Sequence, residues 1–492
     1  MPSSQIDCSE FRESWRETMN FDRDYAMLIG GRLEHGSARF NVLNPATENV
    51  IGSAPNATRN DLDRAIDAAR EAFPGWAATP IAARKAALVA MGQALMAHAD
   101  GLKRLLTAEQ GKPHADAGME VMGAGYWLMG AAHLDLPVTV NEDSAERYSE
   151  TRHVPLGVVG TIPPWNFPLL LAMFKVGPAL LAGNTMVLKP SPFTPLSTLK
   201  FGELVKDILP PGVLNIISGG DALGPWMTSH KGFDKISFTG STATGRRVME
   251  SAAPTLKRVT LELGGNDAAI VMPDVDVENV VEELFWAAFR NNGQICVATK
   301  RMYVHEDIYE PLKDALVAYA KTVKVGDGSE QGTQIGPINN EAQYARVVDL
   351  IQDAKDKGYT FLLGGDAVDV PGYFVPITII DNPPEDSRIV QEEQFGPVLP
   401  LIRFDDYDDV VARANATEYG LGGSVWGKDE DKALRIAERI ASGTIWVNET
   451  QHLSPAAAFG GMKQSGVGVE GGLEGLLEYT NAQTIVRKKQ PA

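Results

Sequence analysis

Cys8 and Cys296 are the only cysteines in the chain. Two are too few for a disulfide framework or a cysteine-rich zinc site, and no metal centre is expected. No stretch approaches the ~18 consecutive apolar residues that a membrane span requires, so no membrane association is expected. The opening residues, MPSSQIDCSEFRESWRETMNFDRDYAMLIG, scatter acids and bases through any would-be apolar segment. A secretory signal does not look like that, and a cytoplasmic location is expected. Basic charge is scarce too: 45 Lys and Arg stand against 63 Asp and Glu, for a formal net charge of −18. The one short basic run is Arg487-Lys488-Lys489. Such a balance repels phosphate backbones unless a basic face is segregated, which argues against nucleic acid as a partner.

What remains is ordinary globular usage, with 44% hydrophobic and 22% charged residues. At 492 residues the chain exceeds the size of most single cores, so two or three domains are predicted. Leu28 to Gly36 (LIGGRLEHG) reads as two strands around a Gly30-Gly31 turn, and Asn44-Pro45-Ala46-Thr47 as a further turn. From Asp61 to about Ala132, apolar residues three and four apart predict successive helices, with a start signal at Thr58 to Asp61. Between Val154 and Gly265 the runs GVVGTI, NTMVLK, VLNIIS, KISFTG and VTLELGG alternate with helix-like stretches, the pattern of a buried parallel sheet. A second α/β set, with AAIVM, KRMYVH, PITII and VLPLIRF, runs from Asp267 to about Gly443. Two such units predict a ligand cleft between them. Ser149 to Val154 and Tyr479 to Arg487 fit neither set and read as lone edge strands, open to pairing with another subunit or to plain surface positions.

Four segments carry chemistry. In Phe289-Arg290-Asn291-Asn292-Gly293-Gln294-Ile295-Cys296 a thiol follows an Asn-Gly turn between a helix-like stretch and a strand. A thiol is the best intrinsic nucleophile among side chains, and with no histidine close by, its base is sought among carboxylates. Val259-Thr260-Leu261-Glu262-Leu263-Gly264-Gly265 sets one glutamate in an apolar strand. Burial would raise its pKa into the range of a general base, whereas a strand-end position would leave it solvated. In Thr161-Ile162-Pro163-Pro164-Trp165-Asn166-Phe167-Pro168 three prolines fix the bend that carries Asn166, either an oxyanion donor or a helix cap. Ile236-Ser237-Phe238-Thr239-Gly240-Ser241-Thr242-Ala243-Thr244-Gly245 is strand, glycine turn and helix start, suited to a pyrophosphate, although its GxxxxG spacing is neither GxGxxG nor a P-loop. Lys189, after the strand MVL, can reach a ribose or lie solvated.

Taken together and in this order, these segments resemble the aldehyde dehydrogenase superfamily, from about Leu28 to Arg487. PWNFP, LELGG, FRNNGQIC, EEQFGPV and FGGMKQSG carry the likeness. The resemblance implies a Rossmann-like cofactor domain (1–136 and 157–266), an α/β catalytic domain (267–464) and a small β oligomerisation element with the C-terminal segment (137–156 and 465–492). It implies Cys296 as nucleophile, Glu262 as base, Asn166 with the Cys296 backbone N–H as oxyanion hole, and Lys175 with Glu470 as a proton-relay pair. Around a dinucleotide it implies Ile162, Pro164, Trp165, Lys189, Gly220, Thr239, Gly240, Ser241, Thr244 and Leu263, with Glu393 and Phe395 at the nicotinamide ribose. An aldehyde channel is implied at Phe167, Leu171, Phe174, Arg290, Ile295, Val297, His452 and Phe459.

Relatives that transfer the acyl group to coenzyme A lack the glutamate, so Glu262 favours hydrolysis to the free acid. One departure concerns the cofactor. Many NAD-preferring relatives carry a ribose-binding glutamate where this chain has Pro192. NAD is the expected cofactor, with NADP physically allowed. A medium aliphatic or aromatic aldehyde suits the apolar channel. The alternatives are a semialdehyde held by Arg290, a cofactor-independent thioesterase or esterase, and an inactive structural protein. A homodimer or homotetramer is implied.

Overall fold

The computed structural model describes residues 19–366, 368 and 370–490; Cys8 lies outside them. Helix formation begins where the sequence signals it. Thr58 Oγ1 accepts from Asp61 N at 3.2 Å, and Asp61 Oδ2 accepts from Thr58 N at 2.8 Å, a reciprocal cap that starts the helix Arg59–Ala78. Three more helices follow, Ile81–Ala97, Ala99–Gln110 and His114–Ala131.

The first large sheet has eight strands. Its centre runs in the spatial order Arg258–Glu262, Lys235–Thr239, Val158–Ile162, Thr185–Leu188, Leu214–Ile216, all parallel. Val158–Ile162 comes first in the chain and lies between strands reached by opposite windings. The ends of Val158–Ile162 and Lys235–Thr239 therefore flank a topological switch point, where doubly wound sheets open a ligand crevice. Met27–Ile29 and Arg32–Glu34 extend one edge, and Gly466–Val467 pairs antiparallel with Arg258–Glu262 at the other.

The second sheet has seven strands, with Asp267–Val271 beside Thr299–His305 at its centre. Gly422–Trp426 and Thr444–Val447 continue it on one side; neither was predicted. Both are buried or half-buried throughout, and Gly422–Trp426 opens on two glycines, so they show little of the alternation that marks a strand.

The two segments expected as lone edge strands are not lone. Arg147–Pro155 and Thr480–Lys488 pair antiparallel with each other along their whole length, and Val138–Asp143 completes a three-stranded sheet. Among the described residues no helix is long and apolar enough to cross a membrane.

Candidate active site

The loop carrying Cys296 leaves the helix Val277–Phe289 through three successive left-handed residues, Asn291, Asn292 and Gly293, with φ of 49°, 59° and 71°. Asparagine and glycine tolerate that conformation best. At Gly293 a Cβ would also meet the Gly396 carbonyl at 2.2 Å, so the turn has no room for another residue. The turn delivers Cys296, half-buried, to the wall of a cavity of about 470 Å³. Opposite runs LELGG, and a Cβ on Gly265 would meet the Cys296 carbonyl at 2.6 Å. Glycine there lets the two backbones touch.

Glu262 is the last residue of its strand and is 3% exposed. Neither of its carboxylate oxygens has a hydrogen-bond partner among the described residues. Burial, reinforced by the charge of Glu470 and only partly opposed by Lys175, holds its pKa well above the ordinary carboxylate range. Lys175 and Glu470 form a fully buried ion pair beside it. Burial also pushes the Cys296 thiol up to about 12; Lys300 opposes this, while Asp267, Glu393 and Glu262 add to it.

Asn166 does not cap the helix Pro168–Ala182, whose N-cap is Phe167. Its side-chain N–H donates instead to the Gln294 carbonyl at 2.8 Å, two residues before the thiol. The amide lines the cavity, and its second N–H remains for a ligand. A buried pair that sequence reading missed holds this bend. Lys112 Nζ lies 2.6 Å from Glu120 Oε2 and donates to the Asn166 carbonyl at 2.7 Å, with both side chains fully buried. Glu120 Oε1 accepts from the first helical amides, Leu169 N at 2.9 Å and Leu170 N at 3.3 Å. Removing one partner strands a buried charge, which typically costs about 3–5 kcal/mol. Lys112→Met should therefore lower unfolding stability by about 3 kcal/mol or more; a loss below about 1 kcal/mol in urea titration would contradict this.

The cavity is also lined by Pro164, Trp165, Thr239, Gly240, Ser241 and Leu263. Ser241 caps the helix Thr242–Ala252, and Arg246, whose guanidinium pairs with Glu418 at 3.2 Å, also lines the cavity. Helix N–H groups and hydroxyls make up a donor set that fits a pyrophosphate. Glu393, held by Gly265 N at 3.1 Å and near enough for its charge to act on Cys296, and Phe395, edge-on to Trp165 at 5.4 Å, line the same cavity. A half-buried carboxylate there fits a ribose diol. Ile162, Lys189, Gly220 and Thr244 do not line this cavity. Ile162 is buried at its strand end, and Thr244 N donates to Ser241 Oγ. Lys189 is buried with its pKa pushed down to about 8 by burial, and Gly220 N donates to Asn56 Oδ1.

The expected channel residues divide. Leu171 lines the cavity, and Phe167, Ile295, Val297 and Phe459 pack together around Cys296. Arg290 and His452 line a second cavity of about 550 Å³, alongside Glu282, Glu283 and Glu449. Phe174 lies in the core, 1% exposed and stacked on Trp127 with ring centroids 3.5 Å apart.

The family model described as "Aldehyde dehydrogenase family" matches residues 33–485. This chain belongs to the aldehyde dehydrogenase family. A probable aldehyde dehydrogenase from a Pseudomonas species is 44% identical to it over 469 residues, covering 95% of each chain. The NAD+ complex of an aldehyde dehydrogenase from Bacillus cereus superposes with a TM-score of 0.93 at 36% identity, covering 96% of this chain and 98% of that one. An NADP-dependent enzyme from E. coli superposes with a TM-score of 0.92 at 37% identity, covering 96% and 99%. This aldehyde dehydrogenase is an NAD(P)-dependent oxidoreductase that converts aldehydes to acids.

Proposed function

We propose that this enzyme oxidises uncharged aliphatic or aromatic aldehydes to the free acid through a thioester on Cys296, with NAD as its first cofactor. One observation carries the reading: a half-buried thiol shares a cavity wall with Asn166, and a buried carboxylate without partners, Glu262, lies near enough for its charge to act on the sulfur.

The steps follow from those groups. Glu262, its affinity for protons raised by burial, takes the thiol proton as sulfur bonds to the aldehyde carbon. The carbonyl π pair moves onto oxygen, where the Asn166 Nδ2–H and the Cys296 backbone N–H stabilise it. Bound NAD(P) supplies the hydride acceptor for that carbon. The acyl group is then left on sulfur. Glu262 takes a proton from water, the water oxygen bonds to the acyl carbon, and the carbon–sulfur bond breaks to release the acid and the Cys296 thiolate. Lys175 and Glu470 give the proton a buried relay away from Glu262.

The apolar cluster of Phe167, Ile295, Val297 and Phe459 around Cys296 favours an uncharged aldehyde through area burial. Arg290 gives weak support to a semialdehyde, because three glutamates share its cavity and offset its charge. For the cofactor, Pro192 supplies no carboxylate for the ribose, but Asp221 lies near enough for its charge to act on Lys189. A carboxylate in that region disfavours a 2′-phosphate. Oligomerisation as a homodimer or homotetramer is assigned to the three-stranded sheet, whose edge strand Thr480–Lys488 is exposed beyond its first residue.

Absorbance at 340 nm tests the reading with aliphatic, aromatic and carboxylated aldehydes, each with NAD and NADP. Neutral aldehydes with NAD should give the highest kcat/KM, with NADP at most about tenfold worse, a difference of about 1.4 kcal/mol. Turnover confined to carboxylated aldehydes, or absent with every aldehyde, would overturn it.

A further inference from the structure

Lys300 was read in the sequence only as part of a strand, yet its side chain is 3% exposed and bonds to the nucleophile loop. Its Nζ donates to the Ile295 carbonyl at 2.9 Å, the Cys296 carbonyl at 2.5 Å and the Ala298 carbonyl at 3.3 Å. All three ammonium donors are thereby directed at one turn of backbone. On its other side stands Glu393 Oε1, 3.6 Å away, the oxygen that also accepts from Gly265 N. The loop so tied follows three left-handed residues, and strained backbone persists only where its surroundings fix it.

The charges around the sulfur make the same point. Facing Cys296 are Glu262 at the end of its strand, Asp267 at the start of the next, Glu393 from the loop before Val398–Phe404, and Lys300 itself. Three are carboxylates and one is a cation. Without the cation, a thiolate would form against uncompensated negative charge in a poorly solvated site.

We propose that Lys300 is the positioning residue of the nucleophile: it clamps the Cys296 loop to the Glu393 carboxylate and supplies the positive charge that lets the thiolate form. This rests on the reading of Cys296 as nucleophile. It also links the two ends of the reaction site, because the carboxylate that Lys300 pairs with is the one facing the ribose position.

Iodoacetamide alkylation of the full-length protein without added cofactor reads the thiolate directly, with the Cys296 peptide resolved from the Cys8 peptide by mass spectrometry. The thiol midpoint lies above the accessible range, so rates are followed from about pH 6 to about pH 10 and a midpoint shift is read as the displacement of the line of log rate against pH. Lys300→Met and Lys300→Gln should raise the midpoint by about one unit, lowering the rate at pH 8 about tenfold. Lys300→Arg, which keeps the charge, should hold the midpoint within about 0.3 units of wild type. Glu393→Gln should lower it, because the ammonium is then shared with one carboxylate fewer. Glu393→Gln also keeps the test intact should the Lys300 variants not fold. Lys300→Gln serves as a control for hydrogen bonding, since its amide can still donate to the loop carbonyls. Unchanged midpoints in folded Lys300→Met and Lys300→Gln, or an unchanged or raised midpoint in Glu393→Gln, would overturn the proposal. Aldehyde-dependent NAD(P) reduction by the wild type is read separately. If that reduction is present while the midpoints stay put, only the role of Lys300 fails.

Discussion

Cys296→Ala is expected to lower aldehyde-dependent reduction of NAD(P) by more than about 10⁴-fold, the scale on which a lost covalent nucleophile acts. The size follows from the arrangement: among the described residues Cys296 is the only cysteine, and it stands on the wall of the cavity. The variant should fold, since alanine deletes one half-buried sulfur from a turn whose shape is set by Asn291, Asn292 and Gly293. Cofactor binding, measured by fluorescence quenching, should survive, because the Ser241 cap and the helix it starts do not depend on the sulfur. Residual turnover within about a hundredfold of wild type would mean that another group forms the bond to the substrate.

Glu262→Gln is expected to separate the two halves of the reaction. Glutamine is nearly isosteric, and the site offers neither carboxylate oxygen a hydrogen bond, so the substitution removes the basicity and little else. Hydride loss requires the thiolate, whose proton in the variant goes to hydroxide at alkaline pH, the more readily because the Glu262 charge that opposes the thiolate is gone. Hydrolysis requires a base at the acyl carbon, and Lys175 is already committed to Glu470. Rapid mixing should therefore show close to one equivalent of reduced cofactor per site, followed by steady turnover about 10²- to 10⁴-fold slower than wild type. The sign with pH is also set. With its pKa raised, Glu262 is protonated at low pH and becomes a base only as pH rises, so wild-type deacylation should accelerate toward alkaline pH while the variant stays flat.

The sequence made the site legible where a residue was out of place in its surroundings. Glu262 is one acid in an apolar strand, Asn166 sits among prolines, and Cys296 follows an Asn-Gly turn; the structure gathers all three at one cavity or beside it. The parallel sheet was legible as well, because strands buried on both faces read as short apolar runs. Other features depend on contacts that no local pattern encodes. Lys112 reaches Asn166 across 54 residues, and in the sequence it looks like any lysine after a glycine. Lys300 looks like the polar start of a strand until its three carbonyl partners are seen. Phe174 shares a helix with Leu171, three residues earlier, yet Leu171 meets the cavity while Phe174 turns its ring onto Trp127. Which side of a wholly apolar helix faces a channel is decided by its neighbours, since all its faces look alike.

The most direct test is to mix Glu262→Gln with an aldehyde and NAD, quench in acid at the end of the burst, and weigh the Cys296 peptide. That peptide should gain one acyl group in place of the thiol hydrogen, in an amount equal to the reduced cofactor formed. Reduced cofactor with an unmodified Cys296, or an acyl group on a different residue, would contradict the thioester.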